Sequence, residues 1–236
     1  MSLIQNQAAI VLLGDSLTQY SYTPGGLSAR LSDLFIRKHD VINRGFAGYN
    51  TSAILPIAKT IIAPSNSTSS SATQPIAFLT LWLGANDAVL ESSGNPQHVS
   101  IEEYRANLLA ILALAPTSVP KFLITPPIPN PPRWAAFREN DTVDRSEENT
   151  GRYAQVVREV AAESGEGTIL VDAWEAMDAY RKKGGDLDDL LTDGLHLTAE
   201  GYEVINSVLF PLIEAQGLTK AEETYPDWRV VLGFTG

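Results

Sequence analysis

The chain predicts an α/β fold: a three-layer α/β/α sandwich around a five-stranded parallel sheet with the flavodoxin-like strand order. Three observations carry this. Short apolar runs alternate five times with longer stretches of helical periodicity, the pattern of successive βα units. The run at 76–83 is essentially apolar throughout rather than alternating, as a central strand covered on both faces must be. And 236 residues, 44% of them hydrophobic, suit one core, with no repeat or second set of elements to divide it.

The elements follow in order. Residues 10–13, Ile-Val-Leu-Leu, are β-formers and predict the first strand, broken by Gly14 and followed by Asp15 and Ser16. After Gly25 and Gly26, Leu27, Leu31, Leu34 and Phe35 recur at helical spacing to about Lys38. Val41 and Ile42 mark a second strand. Residues 43–51 are a loop with two glycines, and Asn50 or Thr51 caps a helix to about Ile62. Residues 64–75 are polar and of low complexity and predict a mobile surface loop. Asn66 in it matches a glycosylation acceptor, which reads as chance without a secretory signal.

The third strand, 76–83, ends in Gly84-Ala-Asn-Asp87. A helix over 101–114 shows Tyr104, Leu108, Ile111 and Leu112 on one side. A fourth strand, 121–125, is stopped by the proline-rich stretch 126–132, too stiff for a sheet ladder; it either walls a site or is a rigid connector. An amphipathic helix over 147–164, a fifth strand over 168–171 and a short helix over 174–180 come next. Thr198 caps the last long helix, to about Ala215. All this is read as one domain, 1–236. Its tail, 217–236, carries Tyr225, Trp228 and Val230 to Leu232 and is expected to dock near the functional site.

Composition narrows the chemistry. A net charge of −11 disfavours nucleic acid and anionic membrane as partners and suits a neutral or cationic small molecule. With no cysteine there is no disulfide, thiolate metal site or cysteine nucleophile. The start of the chain lacks the features of a signal peptide, and no apolar stretch is long enough to span a membrane. A cytoplasmic protein is expected, with a homodimer left open.

Ser16 sits at the carboxyl end of the first strand, where open α/β sheets bind ligands, and near a helix start, where backbone N–H groups are free. Alone, Gly14-Asp-Ser reads first as a plain strand-to-helix turn with Asp or Ser as N-cap. Hydroxyl attack on a carbonyl also needs a base and a group that orients it. Of the three histidines, His39 ends a helix and His98 lies in a polar loop, and both read as surface residues. His196 has Asp193 three residues before it, a spacing that one helical turn brings together; alone, this is also an acidic turn with an exposed histidine. A tetrahedral intermediate needs donors for its oxygen. Gly48 offers a close backbone N–H and Asn86 a side-chain amide. Four strand ends thus each supply a residue type that acyl transfer requires.

Gly14-Asp-Ser-Leu17, Gly48, Gly84-Ala-Asn-Asp87 and Asp193-Gly-Leu-His196 resemble the four ordered blocks of the GDSL, or SGNH, hydrolase superfamily. The residues at 43–51, 84–88, 124–127 and 193–197 are similar to its isoamyl acetate-hydrolysing esterase branch, which cleaves short-chain esters of simple alcohols. The resemblance implies the SGNH hydrolase fold. It implies Ser16 as nucleophile, His196 as base and Asp193 as its orienter, with an oxyanion hole of Ser16 N–H, Gly48 N–H and Asn86. No cofactor is expected, and a metal hydrolase on Asp15, Asp87, Asp193 and His196 is disfavoured because no close His/carboxylate cluster supports it. Asp87 is expected to orient the Asn86 loop, and Arg44 to make a structural ion pair. Ser16 is not in the Gly-x-Ser-x-Gly elbow of α/β-hydrolases. The rivals are a sugar deacetylase or thioesterase on the same fold, and a nucleotide-binding flavodoxin-like module. The second is weakened by the carboxylate of Asp15 in what would be its phosphate loop.

Overall fold

The apolar runs lie side by side in one sheet. The computed structural model of the chain describes residues 7–62, 74–139 and 143–233. Strands β1 (Ala9–Gly14), β2 (Asp40–Gly45), β3 (Ile76–Trp82), β4 (Lys121–Ile124) and β5 (Thr168–Val171) run in the order β2-β1-β3-β4-β5, each pair parallel. The helices, numbered along the chain, are α1 (Ser16–Gln19), α2 (Leu27–Leu34), α3 (Thr51–Ile61), α4 (Ile101–Leu112), α5 (Pro131–Phe137), α6 (Glu147–Glu163), α7 (Ala173–Lys182), α8 (Ala199–Ala215) and α9 (Trp228–Val231). The polar stretch expected to be a mobile loop, with Asn66, lies outside the described residues but for 74 and 75.

Side chains leave each strand alternately toward two helical layers. Ile10, Leu12, Phe78, Trp82 and Phe122 pack with Leu31 of α2, Met177 of α7, and Ile205 and Leu209 of α8. Val11, Leu13, Leu79, Leu81 and Leu123 face the other way, against Ile54 of α3, Leu108 and Ile111 of α4, and Val157 and Val160 of α6. This two-sided burial is why β1, β3 and β4 read as apolar runs. Each such side chain contributes about 1.5–3 kcal/mol by leaving water. Asn50, Ser146, Asp172 and Thr198 cap α3, α6, α7 and α8 through their side chains. Among the described residues no helix is long and apolar enough to cross a membrane.

Three expectations change. The helix from Leu27 stops at Leu34 rather than Lys38: Phe35 ends it, and Arg37 has φ 61°, which a helix cannot continue through. The proline-rich stretch is only half a connector. Pro131 and Pro132 occupy the first turn of α5, where a missing N–H costs nothing, and Asn130 caps it. The described part of the tail, through residue 233, docks away from Ser16. Thr224 N–H donates to Arg37 O (2.9 Å), Arg37 Nη2 to Tyr225 O (2.9 Å), and Lys38 Nζ to Thr219 O (3.0 Å). Arg37 and Lys38 precede β2, at the amino end of the parallel sheet; Ser16 follows β1 at the carboxyl end. The tail goes where exposed cationic donors meet its carbonyls, and aromatic composition does not encode that place.

Candidate active site

The residues singled out in the sequence converge above the carboxyl end of the sheet. Asp15 closes β1: its Oδ1 accepts from Leu17 N–H at 2.9 Å and caps α1. Ser16 thereby becomes the first residue of α1, whose N–H has no partner within the helix. Ser16 Oγ lies 2.9 Å from His196 Nε2, across 180 residues of chain. His196 Nδ1 lies 2.6 Å from Asp193 Oδ2. A carboxylate only accepts, so the imidazole proton sits on Nδ1, and the Nε2 lone pair faces the Ser16 hydroxyl.

Asp193 and His196 meet through a tight turn rather than a helical one. Asp193 Oδ1 accepts from the N–H groups of Leu195 (2.9 Å) and His196 (2.8 Å). Gly194 makes the turn possible at φ +96°; a Cβ there would lie 2.5 Å from Trp134 N and 2.6 Å from Asn130 O. The loop is pinned by an antiparallel bridge between Leu191 and Leu197. It follows α7 and a single 3₁₀ turn, so three of the four blocks, not four, sit at strand ends. Burial pushes the Asp193 carboxyl up, but the bonds from the His196 ring and from the His196 and Leu195 N–H groups outweigh it. Asp193 is held below the ordinary carboxylate range.

The two donor loops are tied to this centre and to each other. Asn43 Nδ2 donates to Thr18 O (2.7 Å), and Ala47 N–H donates to Gln19 Oε1 (2.7 Å), joining β2 and the loop after it to α1. Gly48 takes φ +80°, open only to glycine at low cost. Asn86, 3% exposed, donates from Nδ2 to Tyr49 O at 2.8 Å. Asp87 Oδ1 accepts from Thr51 N–H (2.8 Å) and Thr51 Oγ1 (2.5 Å) and so clamps the Asn86 loop to the start of α3.

The GDSL-like Lipase/Acylhydrolase family matches residues 12–204. The isoamyl acetate-hydrolyzing esterase 1 homolog of Bos taurus is 37% identical over 226 residues, 93% of this chain and 86% of its own. The chain belongs to the GDSL-like lipase/acylhydrolase family. The isoamyl acetate-hydrolyzing esterase of Saccharomyces cerevisiae is 27% identical and 94% of each chain is covered. Among solved structures, a lipase/acylhydrolase from Enterococcus faecalis has the same fold, with TM-score 0.65, 24% identity, and 93% and 100% of the two chains covered. The protein is a carboxylic ester hydrolase of this family.

Within this GDSL-family site Asp15 and Asp87 are both buried. Burial, opposed by the Leu17 N–H and reinforced by Asp87, pushes the Asp15 carboxyl up to about 7. Burial, opposed by the Thr51 bonds, pushes Asp87 up to about 6. Among the described residues, Asp15 Oδ2 has no hydrogen-bond partner. The other histidines are elsewhere and less exposed than expected. His39 packs on Phe35 at the amino end of β2, and burial pushes its imidazole down. His98 Nδ1 lies 2.6 Å from Val89 O. Arg44 donates to Asn43 O at 3.2 Å and, among the described residues, makes no ion pair: it lies on the exposed face of the edge strand β2, and no carboxylate comes within reach.

Four residues at this GDSL-family site carried no signal in the sequence. Tyr20 and Trp134 flank His196 edge-on, with ring centroids 5.5 and 5.6 Å away. Trp134, on α5, is the wall that the proline-rich stretch supplies. Arg145 is 1% exposed, paired with Asp144 at 2.8 Å and stacked 5.1 Å over the Trp134 ring. Gln97 reaches both donor loops. The nearest thing to a hint was Trp134, two places after the Pro131-Pro132 pair that opens α5.

Proposed function

We infer that the chain is a cofactor-independent serine esterase that hydrolyses short-chain carboxylic esters of simple alcohols through an acyl-enzyme. The observation that carries this is the unbroken line Ser16 Oγ, His196 Nε2, His196 Nδ1, Asp193 Oδ2 at 2.9 and 2.6 Å. Ser16 Oγ attacks the ester carbonyl while His196 Nε2 takes its proton, and Asp193 stabilises the imidazolium. The carbonyl oxygen becomes an oxyanion held by Ser16 N–H, Gly48 N–H and Asn86 Nδ2. Collapse breaks the C–O bond to the alcohol, which receives the proton from His196. Water then attacks the acyl-enzyme, giving its proton to the same nitrogen. Carboxylic acid and Ser16 hydroxyl are released.

Short acyl chains are supported by the names of the bovine and yeast relatives, which cite isoamyl acetate, and by Tyr20 and Trp134 crowding His196. Net charge of −11 favours a neutral small ester over nucleic acid or an anionic membrane. The exposed aromatics Tyr20 (51%) and Phe137 (63%) near the site favour a second reading, deacetylation of an acetylated sugar. The test is a panel of p-nitrophenyl esters from acetate to palmitate, beside isoamyl acetate and acetylated xylose. A fluorophosphonate probe should label Ser16, and Ser16→Ala should abolish turnover and labelling while keeping the fold. Turnover by Ser16→Ala near that of the wild type refutes the assignment. Faster cleavage of palmitate than acetate refutes the acyl preference, and preference for acetylated xylose selects the second reading.

A further inference from the structure

We propose that Gln97 is a positioning residue that locks the oxyanion-binding amide of Asn86 in its catalytic orientation and fixes its distance from Gly48. The proposal rests on the esterase reading of Asn86 given above. A side-chain amide is nearly symmetric in shape, yet turning it over exchanges a donor for an acceptor. Only the orientation with Nδ2 toward the site stabilises a developing oxyanion; the other presents a carbonyl oxygen and repels it.

Three contacts decide the orientation. Asn86 Oδ1 accepts from Gln97 Nε2 at 3.2 Å and from Arg145 Nη2 at 3.4 Å. Asn86 Nδ2 gives one hydrogen to Tyr49 O at 2.8 Å, which leaves its second hydrogen for a ligand. Inverting the amide would set N–H against two donors and carbonyl against carbonyl, in a place only 3% exposed. Gln97 does a second thing with the same nitrogen: its other hydrogen goes to Gly48 O at 2.7 Å. One Nε2 thus spans the loop after β2 and the loop after β3, and sets the separation of the two donors.

Gln97 is itself held from several directions. Its N–H donates to Asn95 Oδ1 (3.1 Å), and its carbonyl accepts from Asn50 Nδ2 (2.9 Å). Asn95 Nδ2 donates in turn to Asp144 Oδ2 (3.0 Å), and Asp144 Oδ1 pairs with Arg145 at 2.8 Å. Both donors to Asn86 Oδ1 are therefore anchored to Asp144. Such support reduces the reorganisation needed when charge appears on the substrate oxygen.

The experiment compares Gln97→Met, which keeps length without a donor, with Gln97→Glu, which keeps shape and accepts only, on p-nitrophenyl acetate. The reference is Asn86→Ala. Both Gln97 variants should lower kcat roughly 10- to 100-fold, a part of the roughly 10²–10³-fold that loss of an oxyanion donor costs, with KM within about twofold. A trifluoromethyl ketone, which forms a tetrahedral oxyanion on Ser16, should lose affinity in proportion to kcat. Each Gln97 change combined with Asn86→Ala should cost far less than the product of the separate losses. If Asn86→Ala keeps wild-type kcat, the oxyanion reading itself fails. If Asn86→Ala is impaired while the Gln97 variants lose only melting temperature, with kcat and ketone affinity unmoved, Gln97 is structural and the inference is overturned. Should Gln97→Met fail to fold, Gln97→Glu gives the same decision.

Discussion

Asp15 gives the sharpest quantitative prediction, because its carboxyl is buried beside Ser16 and, among the described residues, has one oxygen without a hydrogen-bond partner. Its pKa rises from 3.8 to about 7 through burial, with the Leu17 N–H, His196 and Arg145 opposing and Asp87 reinforcing. A raised carboxyl is harder to ionise in the folded chain than in the unfolded one. The stability it contributes is intact below about pH 4 and is lost as pH climbs to about 7. At pH 8 the loss is about 4 kcal/mol, and at pH 5 about 2 kcal/mol, so this one group should cost about 2–3 kcal/mol between the two. Asp15→Asn keeps an oxygen for the Leu17 N–H cap and cannot ionise. Any constant cost of its buried NH₂ cancels in the comparison across pH. So does His39, whose depressed imidazole acts in the opposite sense in both proteins. Urea unfolding of both proteins at pH 5, 6, 7 and 8 measures the difference. The wild type should lose about 2–3 kcal/mol more than Asp15→Asn from pH 5 to 8. Parallel stability curves would show that Asp15 ionises normally, with its unpaired oxygen hydrated, and would refute the reasoning.

Three further outcomes are expected. Asp193→Asn can accept at only one atom and loses the charge that fixes the His196 tautomer; kcat should fall roughly 10³–10⁴-fold at neutral pH, read from steady-state hydrolysis of p-nitrophenyl acetate. Trp134→Ala removes the ring against His196 and under Arg145; it should lower kcat/KM roughly tenfold and the unfolding free energy, measured in urea, by about 1–3 kcal/mol. Ending the chain at Ala221 removes the Arg37–Glu223 pair (3.1 Å, both partners exposed) and the Tyr225 and Pro226 contacts at the amino end of the sheet. It should cost about 1 kcal/mol or less, and the acetate-to-butyrate rate ratio should not change; a changed ratio would place the tail at the site after all.

Much of the fold was written locally. The strands were visible because two-sided burial demands apolar side chains in succession, and two of the caps because Asn50 and Thr198 satisfy their own helix starts. Pro131 and Pro132 were misjudged because proline opens a helix as readily as it blocks a strand. The site was legible to the extent that its residues come in short blocks: Asp15 beside Ser16, Asn86 beside Asp87, Asp193 three before His196. Arg145 and Gln97 were not, since a charged or amide side chain in a loop looks solvated until its surroundings are known.

By itself, then, the sequence determined the order of βα units, the burial of both sheet faces and the residue types able to do acyl transfer. Those properties depend on neighbours a few positions apart. Only the tertiary structure decided that His196 meets Ser16 across 180 residues, that Trp134 rather than the tail walls the histidine, and that Gln97 and Arg145 share the Asn86 oxygen. Those contacts join loops brought together by the parallel strand order, and their energy comes from desolvated partners far apart in the chain. No local pattern specifies such partners, because each of these side chains is equally content in water until the fold removes the water.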